Sequence, residues 1–140
     1  MWRKYSDQGT LREALDRSQA VIAFDMDGII IEANNNFLST MGYRFDEIKG
    51  QHHSMFVEPN YKMSPEYAAF WRDLKKGEFK SGEFKRVKKD GSELWIQASY
   101  NPIFDEFGQP IKVVKYASDV TEQKLKNAFN TGQIDAISKS

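Results

Sequence analysis

The chain has 140 residues with 20 basic and 20 acidic side chains, and a formal charge of zero argues against a general nucleic-acid-binding surface, which needs a basic excess. Apolar residues make up 40% and aromatics 14%, enough for one domain with a real core and a modest terminal extension. Cysteine is absent, which removes disulfides, thiolate metal sites and thiol catalysis and suits a reducing cytoplasm. No run approaches the roughly 18 apolar residues of a membrane span, and Met1-Trp2-Arg3-Lys4 lacks a signal peptide's apolar stretch. The expectation is a cytoplasmic module with no direct membrane insertion, whether or not its parent is anchored.

Residues 10–17 read as a short amphipathic helix, with Leu11, Ala14 and Leu15 on one face and Thr10 and Glu13 forming a capping box. Strands over 20–24 and 29–33 flank Asp25-Met26-Asp27-Gly28, a hairpin turn. Asn34 is an N-cap for a helix carrying Phe37, Leu38 and Met41, and Gly42 is its C-cap. A further helical turn over 45–48 stops at Gly50, and 51–63 reads as irregular, with both histidines, His52 and His53. Ser64-Pro65 opens a longer helix whose stripe is Tyr67, Phe70, Trp71 and Leu74.

Three strands follow, over 83–88, 94–104 and 111–117, joined by Asp90-Gly91 and by Asp105-Glu106-Phe107-Gly108. Leu94, Ile96, Ala98 and Tyr100 lie on one side of the middle strand, toward a core under the helices. Trp95 points the other way and needs a cover, from the Leu11–Leu15 helix or a partner subunit. Arg86 shares the face of Phe84. A buried guanidinium requires an anion, so Arg86 meets a ligand's carboxylate or phosphate, pairs with Glu32 or Glu83, or sits on a slipped strand in solvent. The last strand runs into Asp119-Val120-Thr121, after which the composition turns helical.

In this order, Asp27-Gly28, Asn34 with Phe37, Gly42-Tyr43, Gly50, Asp90-Gly91, Asn101-Pro102-Ile103, Gly108 and Asp119-Val120-Thr121 resemble a PAS domain over roughly residues 18–123. Gly50-Gln51, His53, Met55, Pro59, Trp71, Leu74-Lys75-Lys76-Gly77-Glu78, Ser81-Gly82 and Trp95 are similar to bacterial aerotaxis and energy-taxis chemoreceptors and to cytosolic tandem-PAS chemoreceptors of the biofilm-dispersion type. The resemblance implies an α+β fold: a five-stranded antiparallel sheet with short helices on one face, here preceded by an N-terminal helix. It implies residues 1–17 as an extension, 18–123 as the sensory domain and 124–140 as a signalling helix. The likeness of Ala14-Leu15-Asp16-Arg17-Ser18 to Asp135-Ala136-Ile137-Ser138 suits either a second repeat or an ordinary linker.

The same resemblance implies a cavity between sheet and helices, lined by Asn34, His53, Trp71, Arg86, Ile96 and Ala98. FAD is the usual aerotaxis ligand, some relatives carry haem, and a ligand-free cavity is the remaining case. Flavin-binding relatives commonly place an amide near position 86, and Phe56-Val57-Glu58 lacks the basic residue aerotaxis relatives use; both are departures. Asp119 and Thr121 match the family's junction between sheet and signalling helix.

The resemblance and the absence of a phosphate-binding glycine loop, GxSxG or HExxH together give a non-enzymatic sensor. Its partners would be a second copy, a downstream signalling domain and a small ligand. The alternative is a ligand-free dimerisation module, its cavity filled by Met41, Phe56, Phe70, Trp71 and Tyr100 and its outer Trp95 face pairing subunits.

Overall fold

The computed structural model describes residues 19–130. The elements are β1 (Ala20–Phe24), β2 (Ile30–Ala33), α1 (Asn35–Met41), α2 (Phe45–Ile48), a 3-10 turn (His53–Phe56), α3 (Pro59–Lys62), α4 (Pro65–Lys75), β3 (Lys80–Val87), β4 (Glu93–Phe104), β5 (Pro110–Asp119) and α5 (Thr121–Asn130). The strands form one antiparallel sheet in the order β2-β1-β5-β4-β3. The helix expected over residues 10–17 lies outside the described residues.

Aspartates organise the tight connections. Asp25 Oδ1 accepts from the Asp27 and Ile29 amides, Asp90 Oδ1 from Ser92, and Asp105 Oδ1 from Phe107 and Gln109. Each carboxylate replaces a ladder partner where the chain reverses. At Gly28 the backbone is left-handed (φ +82°), and a Cβ there would meet His52 Nε2 at 2.7 Å. Only glycine suits that turn, because both the backbone region and the space exclude a side chain.

Alternation along the strands puts Ile22 and Phe24 of β1, Leu94, Ile96, Ala98 and Tyr100 of β4, and Val113 and Ala117 of β5 on one face, where all are buried. The α4 stripe of Tyr67, Phe70, Trp71 and Leu74 packs over that face, and Phe37, Met41, Ile48 and Phe56 complete the core. Ser64 Oγ accepts from the Tyr67 amide and caps α4, with Pro65 at its first position.

The structure corrects several boundaries. β5 continues past Ala117 to Asp119, because Ser118 and Asp119 still pair with Gln97 and Ile96. β3 starts at Lys80 rather than 83, opposite Tyr100. Ile29 makes only an isolated bridge to His52, so β2 begins at Ile30. The segment 51–63 contains a 3-10 turn and α3, the latter with Pro59 at its first position. No helix among the described residues is long and apolar enough to cross a membrane.

Candidate functional site

A chain of polar groups crosses the inner face of the sheet. Trp71 Nε1 donates to Tyr67 Oη at 3.2 Å, and Tyr67 Oη lies 2.7 Å from His53 Nδ1. His53 Nε2 lies 3.0 Å from Tyr100 Oη, which also accepts from Arg86 Nη2 at 3.0 Å. Arg86 Nη1 donates to the Lys85 carbonyl, while Nε is buried with no partner. On the other side Lys115 of β5, directly opposite Tyr100, holds its ammonium 5.0 Å from the Tyr100 ring centroid. His53, Arg86 and Lys115 are 0, 3 and 2% exposed.

Burial dominates the electrostatics, and the two cations direct it. Burial holds the His53 imidazole well below its ordinary value, with Arg86 and Lys115 adding to the effect, so the ring is neutral. Burial pushes the Tyr67 hydroxyl up. For Tyr100 burial also raises, but the charges of Arg86 and Lys115 outweigh it and hold the phenol below its usual value. Burial lowers Lys115 against the attraction of Tyr100.

Beside this centre is a half-open pocket of about 330 Å³ between α1 and the sheet. Phe37 and Met41 form its apolar wall, Ile96, Lys115 and Ala117 its floor, and Asn36, Ser39, Thr40 and Asp119 its polar rim. Lys115 is the residue common to the pocket and the Tyr100 network.

The sheet hands over to α5 at the pocket's edge. Asp119 Oδ1 accepts from the Thr121 amide at 2.9 Å, and Thr121 Oγ1 accepts from the Trp95 amide at 2.8 Å. The Val120 amide donates to the Trp95 carbonyl at 2.9 Å, so β4 grips the first residues of the helix. Residues 30–117 of this α+β arrangement match the family model described as the PAS fold.

The chain belongs to the PAS family.

It is 49% identical over 129 residues to the biofilm dispersion protein BdlA of Pseudomonas aeruginosa, covering 90% of this chain and 31% of that protein. It is 35% identical over 82 residues to the aerotaxis receptor of Escherichia coli, covering 59% of this chain and 16% of the receptor. The chain thus spans less than a third of the length of these curated relatives. Among solved structures, the PAS domain of a Colwellia psychrerythraea protein superposes with a TM-score of 0.70 at 24% identity, covering 82% of this chain and 98% of that one. At that identity the likeness speaks for the fold alone.

Within the PAS domain, His53, Trp71 and Arg86 lie in one network, and Ile96 and Ala98 lie on the same sheet face, Ile96 in the pocket floor. Asn34 stands apart. Its Oδ1 accepts from the Phe37 and Val21 amides and its Nδ2 donates to the Gln19 carbonyl, tying α1 to β1. Arg86 is neither solvated nor on a slipped strand, since it pairs in register with Leu94 and is buried. Glu83 does not reach it, because its carboxylate takes Lys124 at 2.9 Å near the outer face. Trp95 is half-buried under Lys124, whose ammonium is 4.5 Å from its ring, so a cover comes from α5.

Sequence reasoning missed Lys115 and the polar roles of Tyr67 and Tyr100. For Lys115 the signal was present: it is in phase with Val113 and Ala117, both inward residues of β5. Tyr67 and Tyr100 were read through their rings, which any core would accept, and their hydroxyls carry no positional pattern.

Neither haem nor FAD fits the centre as packed. Both His53 nitrogens are engaged by tyrosine hydroxyls, so the ring offers a haem iron no free nitrogen. The space beneath α4 is filled by rings in edge contact, Phe70 with Tyr100 at 4.8 Å and Phe84 with Tyr100 at 5.5 Å between centroids. A 330 Å³ pocket is at the bottom of the range for small-molecule sites and is too small for a flavin dinucleotide.

Proposed function

We propose that this PAS domain is the sensory module of a chemoreceptor-type signalling protein, in which a small ligand in the pocket beneath α1 biases the β5–α5 junction. One observation carries this reading: the same two strands serve pocket and junction. Ile96, Lys115, Ala117 and Asp119 line the pocket, while Trp95 and Asp119 hold the start of α5. A ligand that prefers one packing of β4 against β5 shifts the junction by its differential affinity for the two arrangements. The names of the relatives, a dispersion protein and an aerotaxis receptor, support a signalling role. Ile96 lines the ligand pocket, His53, Trp71 and Arg86 form the polar centre beside it, Ala98 packs on the same sheet face, Asn34 positions α1, and Asp119 and Thr121 form the output joint. The domain binds and relays without catalysis, as residues 18–123 of a longer cytoplasmic protein, with 124–140 leading to a downstream domain.

The test pairs an absorption spectrum and mass spectrometry of anything released on denaturation with amide exchange across α5. A ligand whose addition leaves α5 exchange unchanged sinks the relay. A redox cofactor recovered in stoichiometric amount instead returns the chain to aerotaxis-type sensing and requires the aromatic centre to open.

A second reading, homodimerisation through the outer sheet face, draws on half-buried Trp95 and the shallow outer groove lined by Gln97, Ser99 and Tyr116. Sedimentation of the full chain and of a chain lacking residues 1–18 decides it, since a monomer in both forms rules out pairing there.

A further inference from the structure

The buried network holds more protons than it can place. Trp71 and Arg86 close its two ends, and both can only donate. Between them Tyr67, His53 and Tyr100 carry one proton each, so five donors compete for four links. One hydroxyl proton therefore lacks an acceptor whichever tautomer His53 adopts. Arg86 Nε adds a second buried donor without a partner. The groups facing Tyr100 are His53 from the 3-10 turn, Arg86 from β3 and Lys115 from β5, with Phe70 of α4 and Phe84 of β3 against its ring. Among the described residues, the charged groups acting most strongly on His53 and Tyr100 are the cations Arg86 and Lys115. Both imbalances have the same sign: the centre is short of an acceptor, and the charges around it are cations.

The pocket meets this centre at one cation, Lys115. Lys115 is buried, lines the pocket floor and faces Tyr100. We propose that the pocket binds a small monocarboxylate, its carboxylate seated against Lys115 and its polar tail toward Asn36, Ser39 and Thr40. The proposal rests on the pocket being the sensory site and adds the chemical class of its ligand. Asp119 at the rim opposes a second carboxylate, so monoanions are preferred over dianions.

Thermal melts of the whole chain at constant ionic strength, with sodium acetate, lactate or succinate against sodium chloride, test the class. Acetate or lactate should raise Tm above the chloride control, with a smaller rise for succinate, and calorimetric titration should show saturation. Lys115→Met should abolish the rise while keeping the native circular dichroism; Lys115→Gln serves if the Met variant does not fold. A rise equal in chloride, or equal in the Lys115 variant, overturns the proposal. So does a phenolate band in the near-ultraviolet spectrum of the ligand-free chain that acetate does not diminish, because the centre then balances itself through Tyr100.

The outcomes separate the two readings. An uncharged ligand that alters α5 exchange leaves the sensory reading and removes the anion. Saturable acetate binding with unchanged α5 exchange keeps the anion site and removes the relay.

Discussion

Replacing Lys115 by methionine isolates the energetic consequence of placing a second cation beside Tyr100. The side chain is 2% exposed, among Ile22, Tyr100, Val113 and Ala117 on the inner sheet face. Burying an ammonium costs several kcal/mol after relaxation. Against this, the Tyr100 ring 5.0 Å away returns about 2 kcal/mol as a desolvated cation–π contact. Exchanging buried ions for apolar groups of like volume stabilises by about 1–4 kcal/mol, and one cation of two with a ring partner belongs at the lower end, about 1–2 kcal/mol. For a domain of this size that is a rise in Tm of about 4–8 °C, read by calorimetry at neutral pH without added carboxylate. The advantage should shrink as pH rises toward 10.5, the ordinary lysine value. Burial lowers Lys115, so below 10.5 the unfolded chain holds a proton that the folded chain resists, and wild-type stability climbs as that proton is lost from both. A loss of more than about 1 kcal/mol in the variant would refute the reasoning, because it means the cation has a full anionic partner in Tyr100.

Four further outcomes follow from the same geometry. His53 is held neutral well below 6.5, so below that pH only the unfolded chain takes up its proton, and stability should fall by about 1.4 kcal/mol per pH unit. Urea melts of His53→Gln from pH 7 to 5 should show that slope reduced, and parallel curves count against it. Tyr100→Phe removes one oxygen and leaves Arg86 Nη2 and His53 Nε2 without their partner, for a loss of about 2–4 kcal/mol in the same melts. Gly28→Ala meets both a positive φ and His52 Nε2, and should lose about 1–3 kcal/mol by denaturant titration; a neutral result means the turn rearranges freely. Thr121→Ala should lose about 1 kcal/mol and speed amide exchange in α5 while core amides stay protected.

The parts of this fold legible in the sequence were those written in short-range chemistry. Aspartate–glycine turns, the Asn34 and Ser64 caps and the α4 stripe each need only a few neighbouring residues, and each stands where expected. The alternation that placed Arg86 beside Phe84 was equally local. What escaped was pairing at long range. Whether Glu83 or Tyr100 meets Arg86 depends on which way β3 faces and on the height of β4 against it, and no local pattern carries that. Lys115 was passed over because a lysine in a strand reads as an edge charge until its neighbours on both sides are known to be inward. The extension of β5 to Asp119 likewise depends on its partner, since Ile96 supplies the last pair.

The grip of β4 on the first turn of α5 makes the helix a lever. Its ten residues reach roughly 15 Å from the pivot at Thr121, taking 1.5 Å of rise for each. Were the last pairs of β4 and β5 to change their twist by about 10°, well inside the spread of strand twists, the far end of the helix would swing by roughly 2.5 Å. That travel is larger than the 1–2 Å helix shifts by which subunit interfaces are known to switch. An adjustment too small to notice within the strands would thus leave the domain as a displacement that a neighbouring helix could register.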